Sequence, residues 1–365
     1  MPIHTPVTWN VADTPTHTIL NARIRDGING LKALPLAVLR KTANQSISSG
    51  VHTAVTWNAE DVDSDGGHST VSATERYTAQ TAGWYYLTAT VVFGGNANGR
   101  RDAYFRVNGD TSRRWGWNTQ TPTTDATGAD ICMVISTHLH LDVGDWVEAI
   151  AHQDSGGALN VLTSNQDSRF QIMWVAQTDG DVRPLPDPKT WAPGIWSVAE
   201  MNVQMRDAEQ FFLQPPLCIV RKDQSPQTLP PFSSDLVIWD TVVRDNNHFY
   251  DSSKPTRLTA QLAGYYLFTL QLQWLRDPVT DEPRYHRVQL FNQAGTVLET
   301  LLLFQNDMKQ TNESYTSSAI AAMNAGDYAV ARAHEFAPTT NQLAELDPSS
   351  TQYGCQMDMR WVSAL

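Results

Sequence analysis

Residues 79–93 read AQTAGWYYLTATVVF, and residues 260–275 read AQLAGYYLFTLQLQWL. In each, a glycine opens a run of aromatic and apolar residues that alternates with smaller or polar ones, the pattern of a strand with one buried face. The register extends on both sides of these stretches. Trp9, Asn21, Arg25, Asp26, Pro35, Val38, Arg40 and Lys41 find counterparts in Trp191, Asn202, Arg206, Asp207, Pro216, Ile219, Arg221 and Lys222, at an offset of 181 or 182. VTWN at Trp57 matches VIWD at Trp239, LDVGDW matches MNAGDY, His152 matches His334, and QIMWVA matches MRWVSA. The chain is therefore two copies of one unit of about 180 residues.

Each unit divides into an arm and a body. In the first arm Leu20, Ile24, Ile28 and Leu31 form one helical stripe. In the second, Ser197 to Glu200 reads as a capping box, with Met201, Met205 and Phe212 expected on one side of the helix that follows. Pro35 and Pro215–Pro216 stop the helices. Such short helices need a surface to dock on. DGDVRPLPDPKTWAPG (179–194) reads as a semi-rigid linker.

The bodies offer strand after strand: GWYYLTATVVF, DAYFRVNGD with its Asn-Gly hairpin signal, ICMVISTHLHL, DWVEAIAHQ and RFQIMWVAQ, then their counterparts in the second copy. No helices alternate with them. The fold class expected is all-β, with two tandem antiparallel jelly-roll sandwiches, each preceded by a short helical arm. The expected division is arm 1–40, jelly roll 41–178, linker and second arm 179–222, and jelly roll 223–365.

Composition narrows the function. A net charge of -12 argues against nucleic-acid binding, which needs a basic face. No apolar run is long enough to span a membrane, and no secretory leader is visible in the first thirty residues. Cys132, Cys218 and Cys355 are too few and too scattered for a disulfide framework or a zinc site, and read as buried thiols. Charged residues are 18% of the chain against the roughly 25% usual, and there are twelve tryptophans, a balance suited to sheets and interfaces.

Tyr77-Thr78-Ala79-Gln80, Gly83-Trp84-Tyr85-Tyr86-Leu87, Leu141-Asp142-Val143-Gly144-Asp145-Trp146-Val147-Glu148 and Gln153-Asp154-Ser155-Gly156 together resemble the globular domain of the C1q and tumour-necrosis-factor-like proteins. The second copy keeps the first parts of this pattern and lacks the Gln-x-Ser-Gly run. The resemblance covers about 240 residues, implies C1q-like jelly rolls and implies homo-oligomers, a trimer first, or a chain that mimics one by pseudo-symmetry. The arms, Asn21 to Asp26 and Asn202 to Asp207, resemble leading segments of bacteriophage minor tail proteins.

The strongest chemical motif is Asp61-Val62-Asp63-Ser64-Asp65-Gly66, with alternating carboxylates as in the first half of a calcium loop. It lacks the closing glutamate, since Ser72 stands there, so calcium competes with an acidic turn. His138 and His140 share a strand face, where they are candidate metal ligands with Glu148 or His152, or interface side chains. Glu148 and Asp154 are a conceivable glycosidase pair without a distinguishing spacing. Trp115 and Trp117, expected on a loop, either stack on sugars or pack in an interface. No nucleophile elbow, phosphate loop or dinucleotide fingerprint occurs.

The expected function is thus a non-enzymatic structural protein of a tailed bacteriophage particle, without cofactors unless calcium binds. It is a minor tail or tail-fibre component, located in the virion and assembled in the bacterial cytoplasm. Leu20, Ile24, Arg25, Asp26, Met201, Met205, Arg206 and Asp207 would dock it on other virion proteins. The alternatives are a capsid decoration or head-fibre protein, and an adhesin module for host attachment that binds a surface receptor or glycan.

Overall fold

The computed structural model describes residues 8, 10, 34–120, 130–163, 168–178, 197–230, 232–275, 283–307, 313–335, 341–343 and 355–364. Twelve strands make the first unit: β1 Leu36–Arg40, β2 Gln45–Ile47, β3 Thr53–Ala54, β4 Ala59–Asp63, β5 Arg76–Thr78, β6 Gly83–Phe93, β7 Arg101–Val107, β8 Trp115–Gln120, β9 Ile131–Leu141, β10 Trp146–Gln153, β11 Leu159–Val161 and β12 Arg169–Ala176. They form a seven-stranded sheet, β2-β11-β6-β12-β1-β4 with β9 also on β6, facing a five-stranded sheet, β3-β10-β7-β8 with β5 on β10.

The second unit repeats this strand for strand, with β13 Leu217–Lys222, β14 Gln227–Leu229, β15 Ser234–Leu236, β16 Thr241–Asp245, β17 Arg257–Thr259, β18 Gly264–Leu275, β19 Pro283–Phe291, β20 Val297–Asp307, β21 Glu313–Met323, β22 Tyr328–Glu335, β23 Asn341–Leu343 and β24 Cys355–Ser363. Its sheets run β14-β23-β18-β24-β13-β16 with β21 on β18, and β15-β22-β19-β20 with β17 on β22. The protein is all-β, two tandem antiparallel jelly rolls.

Each sandwich closes on its own apolar core. Trp57, Tyr85, Leu87, Phe105, Phe170 and Trp174 fill the first; Trp239, Tyr266, Phe268, Leu272 and Met357 fill the second. The opening glycines earn their place here. The Trp174 indole N–H crosses Gly83 to reach the Ala82 carbonyl at 3.2 Å, and Trp361 crosses Gly264 to reach Ala263 at 3.4 Å. A Cβ on Gly83, whose φ is +153°, would collide with the Trp174 indole nitrogen and the Ala176 carbonyl; one on Gly264 meets Trp361 and Ser363 in the same way. Gly83→Ala is therefore expected to destabilise the protein by about 1–3 kcal/mol, read by urea unfolding. Unchanged stability would show that the crossing tryptophan does not set this position.

The Asn-Gly signal is a tight turn, with positive φ at Asn108 (51°) and Gly109 (70°), that opens the connection (108–114) from β7 to β8. Several boundaries differ from expectation. The sandwiches begin immediately after the prolines, so Leu36–Arg40 and Leu217–Lys222, assigned to arms by sequence, are sheet strands with buried faces. The Trp115–Trp117 segment is strand β8 rather than a loop.

The capping box is present: Ser197 Oγ accepts from the Glu200 backbone N–H, and Glu200 accepts from that of Ser197 at 3.1 Å. Helix α1 (Val198–Met201) runs through a π-helical turn (Asn202–Asp207) into α2 (Ala208–Leu213). The wide turn shifts the downstream face by one residue. Phe211 and Leu213 are buried, and Phe212, expected inward, faces out. The first arm, with Leu20, Ile24, Arg25 and Asp26, and the linker at 179–194 lie outside the described residues.

Candidate functional site: the seam between the jelly rolls

Alternation along β9 puts Ser136, His138 and His140 on one face, and that face meets the second jelly roll. Ser136 Oγ and Ser318 Oγ lie 2.7 Å apart. They are the same position of the two copies, opposite Thr88 and Thr269 on the neighbouring strands. The His138 Nδ1 stands 2.9 Å from Asp358 Oδ2, both side chains fully buried. Gln356 donates to Asp358 Oδ1 at 2.8 Å, and Arg221 Nε donates to Gln356 at 2.7 Å. Burial lowers the Arg221 guanidinium to about 10, which leaves it charged at neutral pH. Thr316 donates to the Trp117 carbonyl at 3.2 Å.

Apolar surface flanks these polar contacts. Trp84, Val175 and Ala176 of the first jelly roll pack on Leu217 and Ile219 of the second. Arg221 lies over the Trp115 ring at 4.6 Å and Arg244 over Trp84 at 5.3 Å, while Arg244 also donates to the Thr178 carbonyl at 2.8 Å. Helix α2 clasps the end of the seam. Leu213 enters the first core and Phe211 the second, where it meets Trp361 edge-on at 4.9 Å. Beside the seam a cleft of about 650 Å³ is lined by Trp84, Asp110, Arg113, Trp115, His138, His140 and Arg221, among others.

The structure places the sequence candidates as follows. Met201 is buried and Met205 half-buried, so the second arm rests on its own chain. Arg206 pairs with Asp207 at 2.6 Å and reaches Thr8 at 3.2 Å. Trp117 is fully buried beside Tyr104 and Ile150 of its own jelly roll, with Arg114 over it at 5.2 Å, so its ring is closed to a sugar. Trp115 is half-buried, with Arg113 as well as Arg221 over its ring. His140 contacts Thr178 at 2.9 Å rather than joining His138 on a metal.

The three aspartates do not converge on an ion. Asp61 pairs with Arg40 at 2.6 Å. Asp63 accepts from the backbone of Gly66, Gly67 and His68. Asp65 accepts from the Tyr77 hydroxyl at 2.9 Å. Asp245 makes the same turn as Asp63 in the second copy, accepting from Asn247, Phe249 and Tyr250. The alternating carboxylates thus serve strand ends and turns. Among the described residues no group of three or more histidine, cysteine or acidic side chains stands close enough to hold a metal.

Glu148 is held by Arg106 at 2.5 Å and Asp154 accepts from the Arg100 backbone, so these acids serve separate partners. Cys132 is exposed, contrary to expectation, while Cys218 and Cys355 are buried. Burial pushes the Cys355 thiol up to about 12. Sequence reasoning missed the cluster around Asp102, which receives Thr119 at 2.7 Å, His152 at 2.9 Å and Arg100 at 3.1 Å. Burial raises the Asp102 carboxyl, but these partners outweigh it and hold it below the usual range.

His286, on β19, is buried next to Tyr315, with Ser317 Oγ at 3.5 Å. Burial pushes it from 6.5 down to about 3. It stays neutral in the folded protein while the unfolded chain takes up a proton below pH 6.5. Its stability contribution is therefore complete above pH 6.5 and falls as the pH drops toward 3. Between pH 6.5 and 4.5 the loss is about 2 kcal/mol. His286→Leu is expected to lose that much less than wild type when urea unfolding at pH 7 and pH 4.5 is compared. Equal losses would contradict this assignment.

No protein-family model matches the chain. The chain is similar to the uncharacterized protein L688 of Acanthamoeba polyphaga mimivirus, 31% identical over 164 residues, which are 44% of this chain and 64% of that protein. The chain thus spans just under two thirds of the length of the curated relative it matches. Similar solved structures are C1q- and TNF-type domains. Murine APRIL is 17% identical with a TM-score of 0.30, over 40% of this chain and 99% of its own. The globular domain of zebrafish complement 1qA is 13% identical with a TM-score of 0.30, over 41% and 99%. Eiger TNF from S. frugiperda is 13% identical with a TM-score of 0.32, over 44% and 99%.

Proposed function

We propose that the protein is a non-enzymatic structural component of a virus particle, in which two jelly rolls act as one fused assembly and display unit. The observation that carries this reading is the seam. Its buried pairs and stacked arginines join the two jelly rolls as subunits of an assembly are joined. The likeness to a mimivirus protein supports a viral setting. Within this reading the protein is a tail or tail-fibre component of a bacteriophage that docks through its first arm, with capsid decoration as the alternative placement. The trimer expected from the sequence belongs to the same reading.

Gold-labelled antibody on intact particles tests membership and position together. Label on tails supports the reading, label on heads moves it to decoration, and unlabelled particles overturn it. Deletion of residues 1–34 should abolish incorporation; incorporation of the truncated protein would refute the docking role.

The cleft favours a second reading, a host-surface glycan module. Trp84, Trp115, Arg113 and Arg221 give it rings and cations, the combination that holds acidic sugars. A glycan array on the wild-type protein decides it: binding supports the adhesin, and no signal rejects it.

A further inference from the structure

The outer faces of the two five-stranded sheets have diverged, and the first jelly roll serves as an internal control for the second. In the second, Arg287 of β19 stands directly opposite Arg332 of β22, and Arg257 of β17 is opposite Val330, two residues along the same strand. The core takes the alternate residues Leu258, Val288, Ala331 and Ala333, so the arginines lie on the face turned away from it. The register of the first jelly roll puts Tyr104 and Ile150 where the second has Arg287 and Arg332. It puts Glu148 and Asp102 where the second has Val330 and Tyr285. Glu148 there holds Arg106, and Asp102 holds Arg100 and His152. The second jelly roll has lost two acids from this face and gained two arginines.

The outcome runs against the ordinary chemistry of a sheet surface. Like charges directly opposite on neighbouring strands repel. The Nε atoms of Arg257, Arg287 and Arg332 are buried without a hydrogen-bond partner. Arg332 donates to the Ser234 carbonyl at 3.3 Å, and Arg257 lies over the Tyr328 ring at 4.6 Å. Burial and the facing Arg332 lower the Arg287 guanidinium; burial, Arg287 and Arg332 lower His334, which shares the face. The chain carries 38 acidic residues, yet the strand partners of Arg332 are Arg287 and Leu236, and that of Arg257 is Val330. A local rule broken this way is the mark of a functional surface.

We infer that this face binds an acidic polysaccharide, with Arg287 and Arg332 gripping one carboxylate or sulfate group and Arg257 the next. Charge complementarity carries the argument. Side chains directly opposite are about 5 Å apart at Cβ, close enough for two guanidinium forks on one anion. Arg257 lies about 7 Å further along the strand. Apart from the half-buried Leu236, the neighbouring residues Ser234, Gln289 and Thr300 are polar, so the face lacks the apolar centre of a protein interface. At the Arg257 end it opens into a pocket of about 440 Å³ that Asp251, Lys254 and Gln261 also line. The seam uses the other sheet of this jelly roll, so the site is separate from the cleft and independent of the virion reading.

The test is binding of the full-length chain to immobilised heparin and to polygalacturonate, with neutral dextran as control. Wild type is expected to bind at least one of the two polyanions, more weakly as salt is added, and to ignore dextran. Binding to heparin alone assigns sulfate, and binding to polygalacturonate assigns carboxylate. Arg287→Gln with Arg332→Gln should weaken binding more than tenfold. Arg40→Gln with Arg169→Gln, which removes the same charge from the first jelly roll, should leave it unchanged. The Arg287/Arg332 variant should also unfold at the same or a higher urea concentration than wild type, because a repulsion is gone; structural arginines would lose stability instead. Absence of binding to either polyanion, equal weakening by both double variants, or a less stable Arg287/Arg332 variant overturns the inference. Equal binding of a polyglutamate peptide overturns the assignment to a polysaccharide.

Discussion

Replacing Asp358 with alanine is expected to cost about 3–5 kcal/mol, the usual effect of removing one member of a buried pair. Asp358 and His138 are both fully buried, they meet at 2.9 Å, and they come from different jelly rolls. Without the acid, His138 Nδ1 loses its partner in a place water does not reach, and Gln356 loses the acceptor that orients it toward Arg221. The cost should appear as earlier separation of the two jelly rolls, because neither sandwich core contains the pair. His138→Leu with Asp358→Leu removes both polar groups and should recover most of the stability. Urea unfolding of the single and double variants checks this. A loss below about 1 kcal/mol for Asp358→Ala, or strictly additive effects, would mean that the pair does not hold the seam.

Trp117→Ala is expected to cost about 3–5 kcal/mol as well. The side chain fills a pocket with Tyr104 and Ile150, Arg114 lies over its ring, and its carbonyl receives Thr316 from the other jelly roll. The substitution opens a cavity beneath the seam rather than removing a surface platform. A sugar-stacking tryptophan would behave in the opposite way, losing ligand while keeping stability. Trp115→Ala gives the internal comparison, since that ring is only half-buried and should cost less. Thermal unfolding of both variants decides between the roles.

The fold was legible because its signals are local. Alternation after Gly83 and Gly264, the Asn108-Gly109 turn and the capping box at Ser197 each act within a few residues. Strand β8 was not, because Gly116, with φ +62°, interrupts WGWNTQ at a close approach to the Ser136 carbonyl. The π-helical turn was not legible either, since one extra residue per turn leaves no mark on composition. The seam's buried pairs Ser136–Ser318 and His138–Asp358 join residues 182 and 220 positions apart and have no local signature.

A signal for the seam did exist, in the differences between the copies. Positions such as Trp174 and Trp361 repeat in the cores, and Ser136 and Ser318 repeat within the seam itself. Positions that diverge, such as His138 against Ile320, Gln171 against Asp358 and Val62 against Arg244, belong to the contact between them. These positions of the seam ask different chemistry of the two copies, so their divergence is a sign of the contact.

The central claim, that the two jelly rolls mate within one chain along this seam, is tested most directly by a disulfide. Ser136 and Ser318 are equivalent residues whose hydroxyls meet at 2.7 Å. In a chain with the exposed Cys132 changed to serine, Ser136→Cys with Ser318→Cys should oxidise to an intrachain disulfide in the folded protein, seen as a faster band of one-chain mass on a non-reducing gel. Two thiols that stay free under native oxidation, or that cross-link only between chains, would contradict the account.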